Sequence, residues 1–278
     1  MLAILPNTAL ANPPLKGKWT LTLDENFNNY NQKLWSKGLE TNKLHVRRSK
    51  CFYRDDNVSV ANGFLQITSK KEKLKLIDKD GNKKTMKFSS GFVHSFRKFK
   101  QKYGYFEIRM KLPQARGLWP AFWLMPDRSK KVQDPQISEM RSTGIEKDRK
   151  EIINGKGMEI DIMEHLTEWD ANKFHYAAHW DGYKTNLKSF RGSQLVGTNP
   201  DKDGFRKFGL YWGENILIWF VDDIEIARWQ NNRISDVPMY IIINTNMGGW
   251  ATDHIEKKKL PDQTVIDYIR VWQGKAQL

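Results

Sequence analysis

The chain reads as an all-β sandwich, and three observations carry that reading. Apolar residues alternate with period two in many short segments, turn residues recur between them, and strong amphipathic helices are scarce. Tyr103 to Leu112 is the clearest segment. Phe106, Ile108, Met110 and Leu112 fall on one face of it, and Tyr103, Tyr105, Glu107, Arg109 and Lys111 on the other. Asn57–Val60 and Phe64–Thr68 flank Asn62-Gly63, a dipeptide that tolerates the positive φ angles of a two-residue hairpin turn. A second turn is expected at Lys79-Asp80-Gly81-Asn82, and further strands at 174–180, 206–212, 215–221, 224–229, 239–246 and 264–273. The best helical candidate, 134–152, is densely charged and interrupted by Gly144, so it reads as a long loop with one helical turn. Many strands without strand–helix–strand alternation imply a sandwich or barrel. No internal repeat or Pro/Ser-rich linker divides the chain, so residues 12–278 are expected to form one domain.

Aromatic residues make up 12% of the 278 positions and eleven are Trp, enough for a sizeable core with several indoles left over to line a concave surface. The formal net charge is +14. Between Lys70 and Lys102 twelve basic residues face only Glu72, Asp78 and Asp80, a local excess of +9. Such a run attracts polyanions or forms a solvated hairpin, and the solvated hairpin is preferred here. No nucleic-acid motif accompanies it, so DNA and RNA are set aside as partners. Cys51 is the single cysteine, which excludes an intrachain disulfide and a cysteine-rich metal site. Residues 1–11 end in Ala9-Leu10-Ala11, an Ala-x-Ala pattern resembling the tail of a secretory signal peptide, so a secreted or periplasmic protein is expected. No later apolar run is long enough to span a bilayer, so no membrane association is expected.

The sequence has no Gly-x-Ser-x-Gly elbow, phosphate-binding glycine loop, His-Glu-x-x-His or Cys-x-x-Cys. It does have Glu159-Ile160-Asp161-Ile162-Met163-Glu164. In a regular strand Glu159 and Asp161 share a face while Ile160 and Ile162 point into the core, and Glu164 has the wrong parity. A β-bulge near Met163 would return Glu164 to the carboxylate face. Like charges so close push their pKa values apart, leaving one carboxyl ionised and another protonated. Glycoside hydrolysis needs that split.

With that motif in place, the chain resembles glycoside hydrolase family 16. Glu-x-Asp-x-x-Glu matches the family's bulged active-site strand, and Trp119-Pro120-Ala121-Phe122-Trp123 its Trp-Pro-Ala-x-Trp segment. His179-Trp180, Gly209–Trp212, Phe220-Val221-Asp222 and Val265–Trp272 extend the match over most of the chain after Trp19. The resemblance implies a β-jelly-roll of two curved antiparallel sheets with a concave substrate cleft. It implies an endo-acting retaining β-glycanase, with Glu159 as nucleophile, Glu164 as acid then base, and Asp161 between them tuning Glu159. Retention asks for the two catalytic carboxyls to stand about 5–5.5 Å apart. Trp119, Trp123, Arg109, His179, Asn244 and Trp250 become candidate substrate-binding residues; for Arg109 a structural salt bridge is the competing expectation. No catalytic cofactor is implied. A structural calcium on the convex side is, with Glu25, the Gly63 carbonyl and Asp267 as ligands.

The Trp-Pro-Ala-Phe-Trp context and the Gly248-Gly249-Trp250 ending favour a β-1,3- or mixed-linkage glucan as substrate. The overall charge, Arg47-Arg48 and Arg141 keep an algal galactan (agarase, porphyranase or carrageenase type) as the alternative. The glucan is preferred because no basic residue adjoins the Glu159–Glu164 segment. A rival of another class is a non-catalytic carbohydrate-binding protein, but binding alone does not require the three acids. The polysaccharide is the expected partner, met by a monomer.

Overall fold

In the computed structural model the described residues are 12–38, 49–77, 83–127, 157–181, 187–252 and 254–278. The segment resembling a signal peptide, Arg47-Arg48, the 79–82 turn, Arg141 and the 134–152 loop lie outside them. In chain order the strands are β1 Gly17–Glu25, β2 Ser36–Lys37, β3 Cys51–Tyr53, β4 Val58–Ala61, β5 Phe64–Ile77, β6 Lys83–Ser90, β7 Phe92–His94, β8 Gly104–Lys111 and β9 Leu118–Pro126. They continue as β10 Glu159–Glu164, β11 Lys173–Trp180, β12 Lys188–Leu195, β13 Arg206–Trp212, β14 Ile216–Val221, β15 Ile224–Gln230, β16 Met239–Met247 and β17 Asp262–Ala276.

One sheet runs β15-β14-β13-β8-β17-β5-β6-β3, with β1 also on β17 and β4 on β5; the other runs β12-β11-β10-β9-β16-β7-β2. Every pairing between these strands is antiparallel except β3 with β6. The expected hairpin forms, with Asn62 and Gly63 both at positive φ (54° and 76°) as a two-residue turn of this hand requires.

The sheets face each other across one apolar layer. Phe106, Ile108 and Met110 of β8 meet Phe122 and Leu124 of β9 and Ile160 of β10 there, each with no exposed surface. Burial of this kind contributes about 1.5–3 kcal/mol per large side chain. A second apolar cluster covers part of the opposite face of the seven-stranded sheet, where Cys51, Tyr53 and Phe88 pack on Met125, Tyr240 and Ile242. It builds a wall beside β16 and leaves β9, β10 and β11 to form the floor next to it.

The face of β8 expected to be polar is not uniformly so. Tyr105 packs with Tyr211, Phe220 and Trp272 in a third cluster. Glu107 is only 5% exposed and accepts from Tyr268 Oη at 2.9 Å. Period-two alternation marks the face turned to the core, but it does not say whether cross-strand neighbours will cover the other one.

Candidate active site

β10 lies between β9 and β11 and carries the bulge that its sequence asks for. Against β9, Asp161 pairs with Trp123 but Met163 with Phe122; against β11, Asp161 pairs with Ala177 but Glu164 with His175. One extra residue is absorbed, so Glu159, Asp161 and Glu164 all point away from the core while Ile160, Ile162 and Met163 pack into it. Trp219, reaching across the sandwich from β14, donates from Nε1 to the Asp161 carbonyl at 3.0 Å and braces the strand from below.

Glu159 and His179 are cross-strand partners, and the donor atoms of Glu159, Asp161 and His179 lie within 4.8 Å of one another. His179 Nε2 is 3.4 Å from Asp161 Oδ2. Burial would lower the imidazole pKa, but the hydrogen bond and charge of Asp161, with the charge of Glu159, hold it above its ordinary value. Two carboxylates and an imidazole are the donors most able to hold a metal among the described residues.

Glu164 is 8% exposed. Burial, then the charges of Asp161 and Glu159, push its pKa well above the usual carboxylate range, and one hydrogen bond from Trp119 Nε1 to Oε1, at 2.9 Å, acts against them. Glu164 is therefore the proton-carrying member of the set.

Trp119 and Trp123 are both partly exposed beside the acids. Trp119 meets Trp250 edge-on at 5.2 Å between ring centres, and Trp250, 39% exposed, also meets Trp169 (5.6 Å) and His175 (5.0 Å). Burial lowers the His175 pKa to about 4, so this ring is neutral at ordinary pH. Sequence reasoning missed Trp169, His175 and Trp219. The first two were legible only as partners of Glu164 and Trp250 in space, though His175 does share a face with His179 at spacing i, i+4 in its strand.

Several expectations need correcting. Arg109 is not at the cleft: β8 belongs to the other sheet, where the guanidinium pairs with Asp201 and Asp267 over the Phe205 ring. Alternation placed Arg109 on a polar face, and that face is the outer one. Asn244 is 4% exposed and is occupied below the surface, accepting from Trp123 Nε1 at 2.8 Å and donating to Tyr53 Oη at 3.2 Å. It positions Trp123. Both carboxylates of the expected calcium set are engaged by other partners. Glu25 accepts from Phe27 N and Trp35 Nε1 in the interior, whereas Asp267 is held by Arg109 outside. A divalent cation would have to displace both arrangements. Finally, a basic residue does adjoin the acids. Asp161, Ala177 and Arg191 are successive cross-strand partners on β10, β11 and β12, so exposed Arg191 shares their face across a small alanine.

The family model described as "Beta-porphyranase A-D, GH16 domain" matches residues 19–274. The chain belongs to glycoside hydrolase family 16. Members of this family need no catalytic cofactor. Among curated relatives of this family 16 chain, the beta-glucanase of Rhodothermus marinus is 32% identical over 62% of the chain and 57% of the relative. The endo-1,3-1,4-beta-glycanase EglC of Rhizobium meliloti (strain 1021) is 28% identical over 78% of the chain and 40% of the relative. The chain thus spans about half the length of these relatives. Among solved structures, the catalytic domain of an endo-1,3-beta-glucanase (laminarinase) from Thermotoga petrophila RKU-1 superposes with a TM-score of 0.71 at 25% identity, covering 94% of this chain and all of that one. The two-sheet sandwich is the family's jelly-roll.

Proposed function

We propose that this family 16 chain is a retaining endo-β-glycanase acting by double displacement on a β-1,3- or mixed-linkage glucan. The observation that carries the mechanism is the pairing of an exposed-side Glu159, beside Asp161 and His179, with a Glu164 held neutral by burial on the same face. Glu159 attacks the anomeric carbon while Glu164 gives its proton to the departing glycosidic oxygen, leaving a glycosyl ester on Glu159. Glu164, now ionised, takes a proton from the incoming water, and the water oxygen displaces Glu159. Asp161, bonded to His179, completes the polar surface around Glu159. Trp119, Trp123 and Trp250 offer apolar ring faces for pyranose stacking. Export from the cell belongs to the same proposal, since a polysaccharide substrate is met outside it.

Glucan-active relatives and structural neighbours support the substrate choice. The porphyranase-type family model and Arg191 on the acid-bearing face favour a second reading, a sulfated galactan. Incubation with laminarin, lichenan, agarose, porphyran and carrageenan, with products sized by chromatography, separates the two. On a glucan the Michaelis constant should be flat in sodium chloride and change less than about twofold in Arg191→Ala, since no ionic contact is lost. A rise of about tenfold in the variant, mirrored in wild type at high salt, would transfer the proposal to the sulfated polymer.

Trp119→Phe offers a check on Glu164. The lost indole donor had favoured the carboxylate, so its removal raises the Glu164 pKa further, and the alkaline limb of the activity profile should move to higher pH. A limb that stays in place would separate it from Glu164.

A further inference from the structure

Beyond Ser69, β5 leaves β17 and pairs with β6 alone among the described residues, and 72–77 with 83–87 form a two-stranded ribbon past the end of β3. Leu74 and Met86 are cross-strand partners on one face, half-buried. Lys75 and Thr85 are partners on the other, and alternation adds Lys73, Lys83 and Lys87 to it. All four lysines are exposed, and none has a carboxylate partner among the described residues. Glu72, the one acid in the described ribbon, is taken by Arg54 at 3.2 Å and by Ser89. At about 6.7 Å per two residues, Lys83 and Lys87 stand about 13 Å apart along the strand with Lys73 and Lys75 beside them.

We propose that this lysine face is a docking surface for an anionic polysaccharide, separate from the catalytic groups. Four unpaired ammonium groups on one face of the ribbon attract a polymer with charges at regular spacing, by ion release more than by shape. The face carries no aromatic ring to stack a nucleobase and no arginine, which disfavours single-stranded nucleic acid. Its root ties it to the cleft wall: Phe88–Ser90 pair with Cys51–Tyr53, and Tyr53 Oη bonds to Asn244 and Asn246, the former holding Trp123. The ribbon is thus continuous with the wall beside Trp123. The inference rests on the chain being active on polysaccharides, and it goes beyond that reading by adding an anionic polysaccharide, bound apart from the glucan that the acids cut.

The test measures binding rather than hydrolysis, so its failure is distinct from failure of the catalytic proposal. The full chain carrying Glu159→Gln, which leaves the polymer intact, is titrated with carrageenan, agarose, duplex DNA and phosphatidylserine vesicles. Carrageenan should bind at low salt and weaken by about tenfold or more in 500 mM sodium chloride. Adding Lys73→Gln, Lys75→Gln, Lys83→Gln and Lys87→Gln should weaken it by about tenfold, whereas Lys-to-Arg changes at the same four positions should keep it within about threefold. Agarose binding should be indifferent to both sets. Unchanged carrageenan binding in the glutamine variant would overturn the proposal, as would DNA or vesicles bound as tightly with the same lysine dependence.

Discussion

Glu159→Gln is expected to lower turnover by roughly 10,000-fold or more while leaving folding and substrate binding intact. The amide keeps the shape of the carboxyl and fits the same space beside Asp161 and His179, but it cannot form the glycosyl ester. Because Glu159 lies on the side of β10 away from Ile160 and Ile162, the core is untouched and the unfolding midpoint should hardly move. Turnover and calorimetry on the same preparation decide the matter. Activity within tenfold of wild type would remove Glu159 from the nucleophile role, whatever the fold.

The second large effect is expected from Glu164→Gln, and its size should depend on the leaving group. With a natural polymer the departing alkoxide needs the proton, so a loss of about 100- to 10,000-fold is expected. With an activated aryl glycoside the first step needs little protonation and the deficit falls on the second, where water lacks its base. Azide, which attacks without a base, should then restore part of the rate and yield a glycosyl azide of retained configuration. The pH profile supplies an independent check. Burial and the neighbouring acids raise the Glu164 pKa, so wild-type activity falls as pH climbs through that raised value and the acid is lost. In the variant, measured on the activated substrate, that alkaline limb should disappear. Equal losses on natural and activated substrates, without azide rescue, would sink the acid/base assignment.

Much of this site was legible from covalent order alone. Glu159, Asp161 and Glu164 sit within six residues, and strand periodicity turns spacing into facing, so the need for a bulge before Glu164 followed from the mismatch between three acids and a period of two. The Asn62-Gly63 hairpin and the strands at 206–212 and 216–221 were readable for the same reason: their geometry depends on neighbours in the chain.

What the sequence could not decide is which sheet a polar face belongs to and what comes to lie over it. Arg109 and Glu107 alternate as a solvent-facing pair would, yet one closes an ion-pair network on the outer sheet and the other is buried beneath Tyr268. Arg191 is 30 residues from Asp161 in the chain and becomes its neighbour only because β11 places Ala177 between them. Glu25 and Asp267 are engaged by Trp35 and Arg109, partners that no local pattern announces. By itself the sequence determined the all-β class and the three acids, because both rest on local periodicity and turn chemistry. Only the tertiary structure decided which acid holds the proton and which cations and indoles surround it, because burial and through-space charge depend on contacts made across strands distant in sequence.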